Sequence, residues 1–209
     1  MRYLPSLLLV LLAFITQAQS PGISNTKYFD IKIAGVKIGE LKATRTIKDT
    51  ITEYRLESNV KVWLVVSVDM EHLTETVYHG RKLFSSTSVS TTNSGTYTSY
   101  VTWKDGYYQT LVDSYKYKNS APIYEMIECN IARFYFDEPV NIRKTLADSY
   151  GTLATIKKVN PGDYEVDSHG NVNQYRYKNG SLVSASLFSK IRYEVIARND
   201  NRLASAGVR

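Results

Sequence analysis

The sequence predicts a mainly β protein, an antiparallel and strongly curved half-barrel or barrel meander with one short helix covering or plugging it. Three observations predict this. Apolar and polar residues alternate with period two along most of the chain, and turn signals part the alternating runs at intervals of roughly 8–12 residues. One segment alone switches to helical spacing.

The strands carry the plainest signal. In YFDIKI, Phe29, Ile31 and Ile33 alternate with Asp30 and Lys32. In EYRLESNVKV, Tyr54, Leu56, Val60 and Val62 fall on one parity, and Glu53, Arg55, Glu57, Asn59 and Lys61 on the other. Such a strand lays one side on a core and the other in water. Further strands are expected near 36–47, 64–79, 83–92, 96–103, 107–117, 152–159, 163–168, 172–178, 182–188 and 190–198. Val, Ile, Thr and the 17 Tyr suit pleated surfaces. Turn signals separate most of these runs, among them Ala34-Gly35, Asp105-Gly106, Pro161-Gly162 and Asn179-Gly180. YRYKNGSLVSAS, around the last of them, predicts a two-residue hairpin turn with positive φ at both central residues.

Two stretches depart from alternation. After Pro122, the residues Ile123, Met126, Ile127, Ile131 and Phe134 recur at helical spacing with Asn130 as the polar intruder, which predicts a helix over 122–133. In VKVWLVVSV both parities are apolar from Val62 to Val66, as in a strand covered on both faces, and the single helix is the simplest cover.

The chain divides into a leader and one domain. Residues 1–18, MRYLPSLLLVLLAFITQA, carry Arg2, an apolar run from Leu7 to Ile15 and a small residue at Ala18, the order of a secretory signal peptide cleaved near Ala18. The apolar run is shorter than the roughly 20 residues a spanning helix needs. Residues 19–26 read as a polar leader, 27–198 as one all-β domain and 199–209 as a frayed tail. The expected location is the periplasm or the exterior, with no transmembrane segment after cleavage. Without Arg2, 25 Lys and Arg face 20 Asp and Glu, a net +5. These charges are scattered, which argues against a nucleic-acid partner. The lone Cys129 permits no internal disulfide, and its apolar surroundings suit a buried thiol.

Catalytic patterns are thin: there is no nucleophile elbow, P-loop, zinc-protease or dinucleotide motif. His72 and His79 stand seven apart on one strand and so on opposite faces, while His169 lies in a distant turn. Asp69, Glu71, Glu75 and His79 share one parity, which reads as a wet face, and neither a metal nor a cofactor is expected. Asp137 and Glu138 form the best acidic pair, yet neighbours in an extended chain point apart.

A non-enzymatic binding protein is therefore the leading expectation, holding a hydrophobic ligand, a lipid or a lipidated partner, in a groove of the curved sheet. Parity proposes Val60, Val62, Leu64, Tyr97, Val101 and Trp103 as its lining. The alternative is a protein–protein interaction or structural module of the cell envelope, and a glycan-acting enzyme stands third.

A series of segments also carries a resemblance. YFDIKIAGVKIGEL, VYHGRKLFSSTSVSTTNSG, TWKDGYYQ, YFDEPVN, YGTLATIKKVNPGDYEV and QYRYKNGSLVSASL occur in this order over residues 27–197. The series resembles an exported domain-of-unknown-function family of Gram-negative bacteria, chiefly of the Bacteroidetes group. That family is in turn similar to periplasmic lipoprotein carriers of the LolA/LolB type. The resemblance implies a bent antiparallel half-barrel with helix over its open side, and it assigns no activity and no functional residue.

Overall fold

In the computed structural model the described residues are 22–63, 67–114, 116–188 and 191–198. The proposed signal peptide, the chain-terminal tail and Leu64 lie outside them, as does the centre of the two-sided apolar run.

Among the described residues fourteen strands form one antiparallel sheet. They are β1 (Ile23–Ile33), β2 (Val36–Lys48), β3 (Ile51–Trp63), β4 (Ser67–His79), β5 (Lys82–Thr92), β6 (Gly95–Lys104), β7 (Tyr107–Ser114), β8 (Tyr117–Asn119), β9 (Lys144–Ala147), β10 (Thr152–Asn160), β11 (Asp163–Ser168), β12 (Asn171–Lys178), β13 (Ser181–Phe188) and β14 (Arg192–Ala197). Two meanders, β1–β8 and β9–β14, meet where β1 pairs with β14, Phe29 opposite Ala197. The edges β8 and β9 do not join as a ladder, and the sheet stays open there. Side chains bridge the gap instead. The Tyr117 hydroxyl donates to the Tyr150 carbonyl at 3.2 Å, and Asn119 Nδ2 donates to the Tyr150 and Gly151 carbonyls at 3.3 and 3.1 Å.

The alternation places the core as expected. Phe29 and Ile31, Leu41 and Ala43, Tyr54 and Leu56, Tyr175 and Tyr177 all face one enclosed side and are buried. Asn179 and Gly180 have φ of 51° and 73°, the two left-handed residues that the hairpin sequence predicted. Gly151 is required for a different reason. Its φ is +59°, and a Cβ there would stand 2.5 Å from Thr110 Cγ2 and 2.8 Å from Val112 Cγ2, because the turn after β9 presses on β7.

The helix expected over 122–133 is replaced by a plug of irregular chain. Only Ile131–Phe134 is helical (α1), capped by Asn130. The backbone before it goes to the barrel wall. Ile123 exchanges both hydrogen bonds with Tyr108, Leu83 N–H donates to the Ile127 carbonyl at 2.9 Å, and Leu146 N–H donates to the Cys129 carbonyl at 2.8 Å. Wall strands left without a neighbour take these bonds, which outcompetes a helix of modest intrinsic stability. The helical spacing was partly fortuitous, since Met126 is 53% exposed. β9 was not anticipated, and the expected strand over 107–117 divides into β7 and β8.

Candidate functional site

The plug and the end of the barrel it fills bring together most of the unusual chemistry. Phe134, Tyr135 and Phe136 are buried in the barrel. Phe134 meets Tyr175 edge-on at 4.9 Å between centroids, Tyr135 meets Phe29 at 5.1 Å, and the Tyr177 hydroxyl donates to the Phe134 carbonyl at 2.8 Å. Burial pushes the Tyr135, Tyr175 and Tyr177 hydroxyls above the ordinary phenol range.

Opposite these rings the plug is held by a polar network. Asp148 Oδ1 accepts from Ser86 Oγ at 2.6 Å and from Asn130 Nδ2 at 2.9 Å, and its Oδ2 accepts from Ile131 N–H at 3.1 Å. Asn130 Nδ2 also donates to Thr76 Oγ1 at 2.9 Å, while its Oδ1 accepts from the Tyr78 hydroxyl at 3.0 Å. Burial raises the Asp148 carboxyl above its usual value against the pull of these donors. Cys129, beside Asn130, is 2% exposed, and burial pushes its thiol up to about 12, which leaves it inert as a nucleophile.

At the rim two surface features remain open. One is a groove of about 260 Å³ formed by His79, Lys82, Leu83, Phe84 and Trp103. The His79 and Phe84 rings stack in parallel at 4.6 Å, Lys82 Nζ sits 3.1 Å over the Trp103 ring, and Trp103 leans on Tyr108 at 5.0 Å. Beyond it, exposed Tyr107 and Tyr124 approach to 6.1 Å along the outside of the plug, with Met126 exposed nearby in sequence.

The other feature is cationic. Lys27 on β1 and Arg45 on β2 share the parity of buried Phe29 and Ala43. Both stand over the Phe136 ring, Lys27 Nζ at 5.5 Å and Arg45 Cζ at 5.1 Å. Arg45 Nη1 and Arg133 Nε reach Asp137 at 2.9 and 3.4 Å. Burial, and then the neighbouring Arg45, lower the Lys27 ammonium below its ordinary range. Glu138 turns away and accepts from the Tyr164 hydroxyl at 2.7 Å. The adjacent acidic pair thus divides between two partners.

The sequence-proposed lining is spread along the sheet rather than gathered. Val60, Tyr97, Val101 and Trp103 do share the inner parity. Val60 and Val101 are buried core, half-buried Tyr97 meets Ser94 near one end of β6 at 3.1 Å, and Trp103 stands at the other end. Val62 pairs with Val68 in the β3–β4 ladder; its side chain, and all of Leu64, lie outside what is described. Of the four whose side chains are described, Trp103 alone belongs to the open groove. His72 faces inward between Ser90 and Thr74, and burial lowers its imidazole to about 4; His79 faces outward, as spacing required.

Sequence reasoning missed Lys27, Arg45, Lys82 and Asp148. Lys27 and Arg45 carried a signal, being cations at strand positions of core parity. Lys82 and Asp148 depend on which segments meet and carried none.

A family model described as a domain of unknown function (DUF6134) matches residues 29–198. No curated protein matches the chain. Among solved structures, the crystal structure of a beta-barrel-like protein of domain of unknown function DUF1849 from Brucella abortus is similar. Its TM-score is 0.49 at 8% identity, over 85% of this chain and 97% of that one.

Proposed function

From the premise that this chain belongs to the DUF6134 family, we propose that it is a non-enzymatic binding protein of the cell envelope, exported behind its first eighteen residues. Its ligand is an apolar group, a lipid chain or the lipidated end of a partner, held at the plugged rim. The observation that carries this reading is the groove in which Phe84 and Trp103 remain open although the barrel interior beside them is filled. Apolar and aromatic walls with one ammonium suit a hydrocarbon chain ending in a polar group. The inner face is a poorer berth, because Ile127, Phe134, Tyr135 and Phe136 already occupy it.

Native mass spectrometry of protein taken from its own envelope tests the reading. A lipid adduct that is lost in Phe84→Asp supports it. An unmodified mass together with no uptake of a fluorescent fatty acid overturns it. A second reading, a docking module for a protein, is favoured by Tyr124 and Met126, exposed by 75% and 53% along the plug. Crosslinking in cells that captures one stable partner through position 124, with no lipid adduct, selects the second reading.

A further inference from the structure

The aromatic groove leaves the cationic rim unexplained. Lys27 and Arg45 stand over the Phe136 ring, and Arg45 and Arg133 share a single carboxylate, Asp137, while Arg133 Nη1 also donates to the Glu128 carbonyl at 2.8 Å. Glu138, the next carboxylate along the chain, is taken up at Tyr164, whose ring Lys158 also faces. Among the described residues Lys27 has no ion pair; it faces the Phe136 ring and a like-charged neighbour, Arg45, whose effect outweighs the attraction of Asp137. Register makes that neighbourhood obligatory. Asn25 pairs with Arg45 and Lys27 with Ala43, so Lys27 and Arg45 are diagonal neighbours on one face of a ladder, within reach of each other.

A half-buried ammonium beside a guanidinium is costly unless a negative charge joins them. The arrangement has an excess of two positive charges, and a phosphate monoester brings about two negative ones with three strong acceptor oxygens. Guanidinium groups are suited to paired donation to such oxygens, and the Phe136 ring closes the floor of the site. We propose that Lys27, Arg45 and Arg133 form a phosphate-binding site at the plugged end of the barrel, taking either free phosphate or the phosphomonoester headgroup of a lipid. Asp137 holds the two arginines in place, leaving Lys27 as the uncommitted cation.

This site stands apart from the groove beside Trp103. Arg45 on β2 and Lys82 on β5 are three strand spacings apart, about 14 Å along the rim. The two can therefore fail separately, since the groove is read by lipid-chain uptake and this site by phosphate.

The experiment titrates the folded protein with inorganic phosphate by calorimetry. In parallel it is sedimented with phosphatidylcholine vesicles, with and without phosphatidic acid. Saturable phosphate binding, or sedimentation that needs phosphatidic acid, is expected, and in either arm Lys27→Met weakens it about tenfold. Phosphate binding alone identifies the free ion, and vesicle binding alone identifies the lipid headgroup. Lys42→Gln, which removes an exposed cation paired with Glu57 on the outer face, leaves both arms unchanged. Nuclear magnetic resonance supplies a readout that a packing role does not move: the Lys27 ammonium titrates low in the free protein and shifts upward when phosphate binds. Arg45→Gln repeats the test should Lys27→Met unfold. No binding in either arm, or equal binding by Lys27→Met and wild type, overturns the proposal.

Discussion

The inside of the barrel has two unlike walls. Across β4–β7 the inner face is rich in hydroxyls, with Thr74, Thr76, Ser86, Ser88, Ser99 and Thr110 buried beside Tyr78, Leu83, Val101, Tyr108 and Val112. Across β10–β14 it is bulky, with Ile156, Tyr164, Val166, Tyr175, Tyr177 and Leu182 buried. The plug is sided to match. Asn130 and the Asp148 carboxylate face the hydroxyl wall, and Phe134 with its carbonyl faces the tyrosine wall. One wall therefore fixes the plug by directed bonds and the other by contact area. The first supplies position, and the second supplies most of the free energy.

The largest way to break this comparison is on the bulky side. Phe134→Ala removes a wholly buried ring from the Tyr175 contact and should cost about 3–5 kcal/mol in denaturant unfolding, with the midpoint falling and the slope unchanged. On the hydroxyl side, Asn130→Ala leaves Asp148, Tyr78 and Thr76 short of partners and should cost about 2–4 kcal/mol. If the second loss exceeds the first, the division of labour is reversed.

The hydroxyl wall also carries two opposed pH dependences. Asp148 binds its proton more tightly folded than unfolded, so stability falls as pH rises from the ordinary carboxylate value through the raised one. His72 is the reverse. Its folded value is about 4 against 6.5, so stability falls as pH drops from 6.5 towards 4, by about 3 kcal/mol if the whole shift is expressed. Across this range Asp148→Asn should remove the aspartate contribution to the slope, and His72→Gln the histidine contribution. The smallest effect sharpens the same wall: Ser99 Oγ and Thr110 Oγ1 are buried without partners among the described residues. Ser99→Ala and Thr110→Val should be neutral or stabilising by up to about 1 kcal/mol, a result that an unseen hydrogen bond at either hydroxyl would reverse.

Strands with one wet face were legible because their alternation and turns are written locally. β2 was expected over 36–47 and runs Val36–Lys48, and β11 was expected over 163–168 and runs Asp163–Ser168. β9 was illegible because Thr145, Leu146 and Ala147 are all buried, which erases the alternation. The plug misled for a related reason. Isoleucines at 123, 127 and 131 fit a helix, yet the backbones of Ile123 and Ile127 bond to Tyr108 and Leu83 of the wall, and only Ile131 is helical. Trp103 was reached by parity, whereas the groove it lines depends on a bulge that turns Phe84 outward. The cations at 27 and 45 were visible as polar residues at core parity, and their convergence on Phe136 needed the plug.

The pairing of β1 with β14 has a consequence for how the chain folds. Among the described residues every other ladder joins strands that follow one another along the chain, while this one brings Phe29 to Ala197. The entropy of closing long loops is thus concentrated in one late zippering step. Two meanders can form early and separately, but neither gains its full neighbours until the last strand arrives. Such a chain is slow to commit to its native state, and the last strand to be made, β14, is the one on which the first depends.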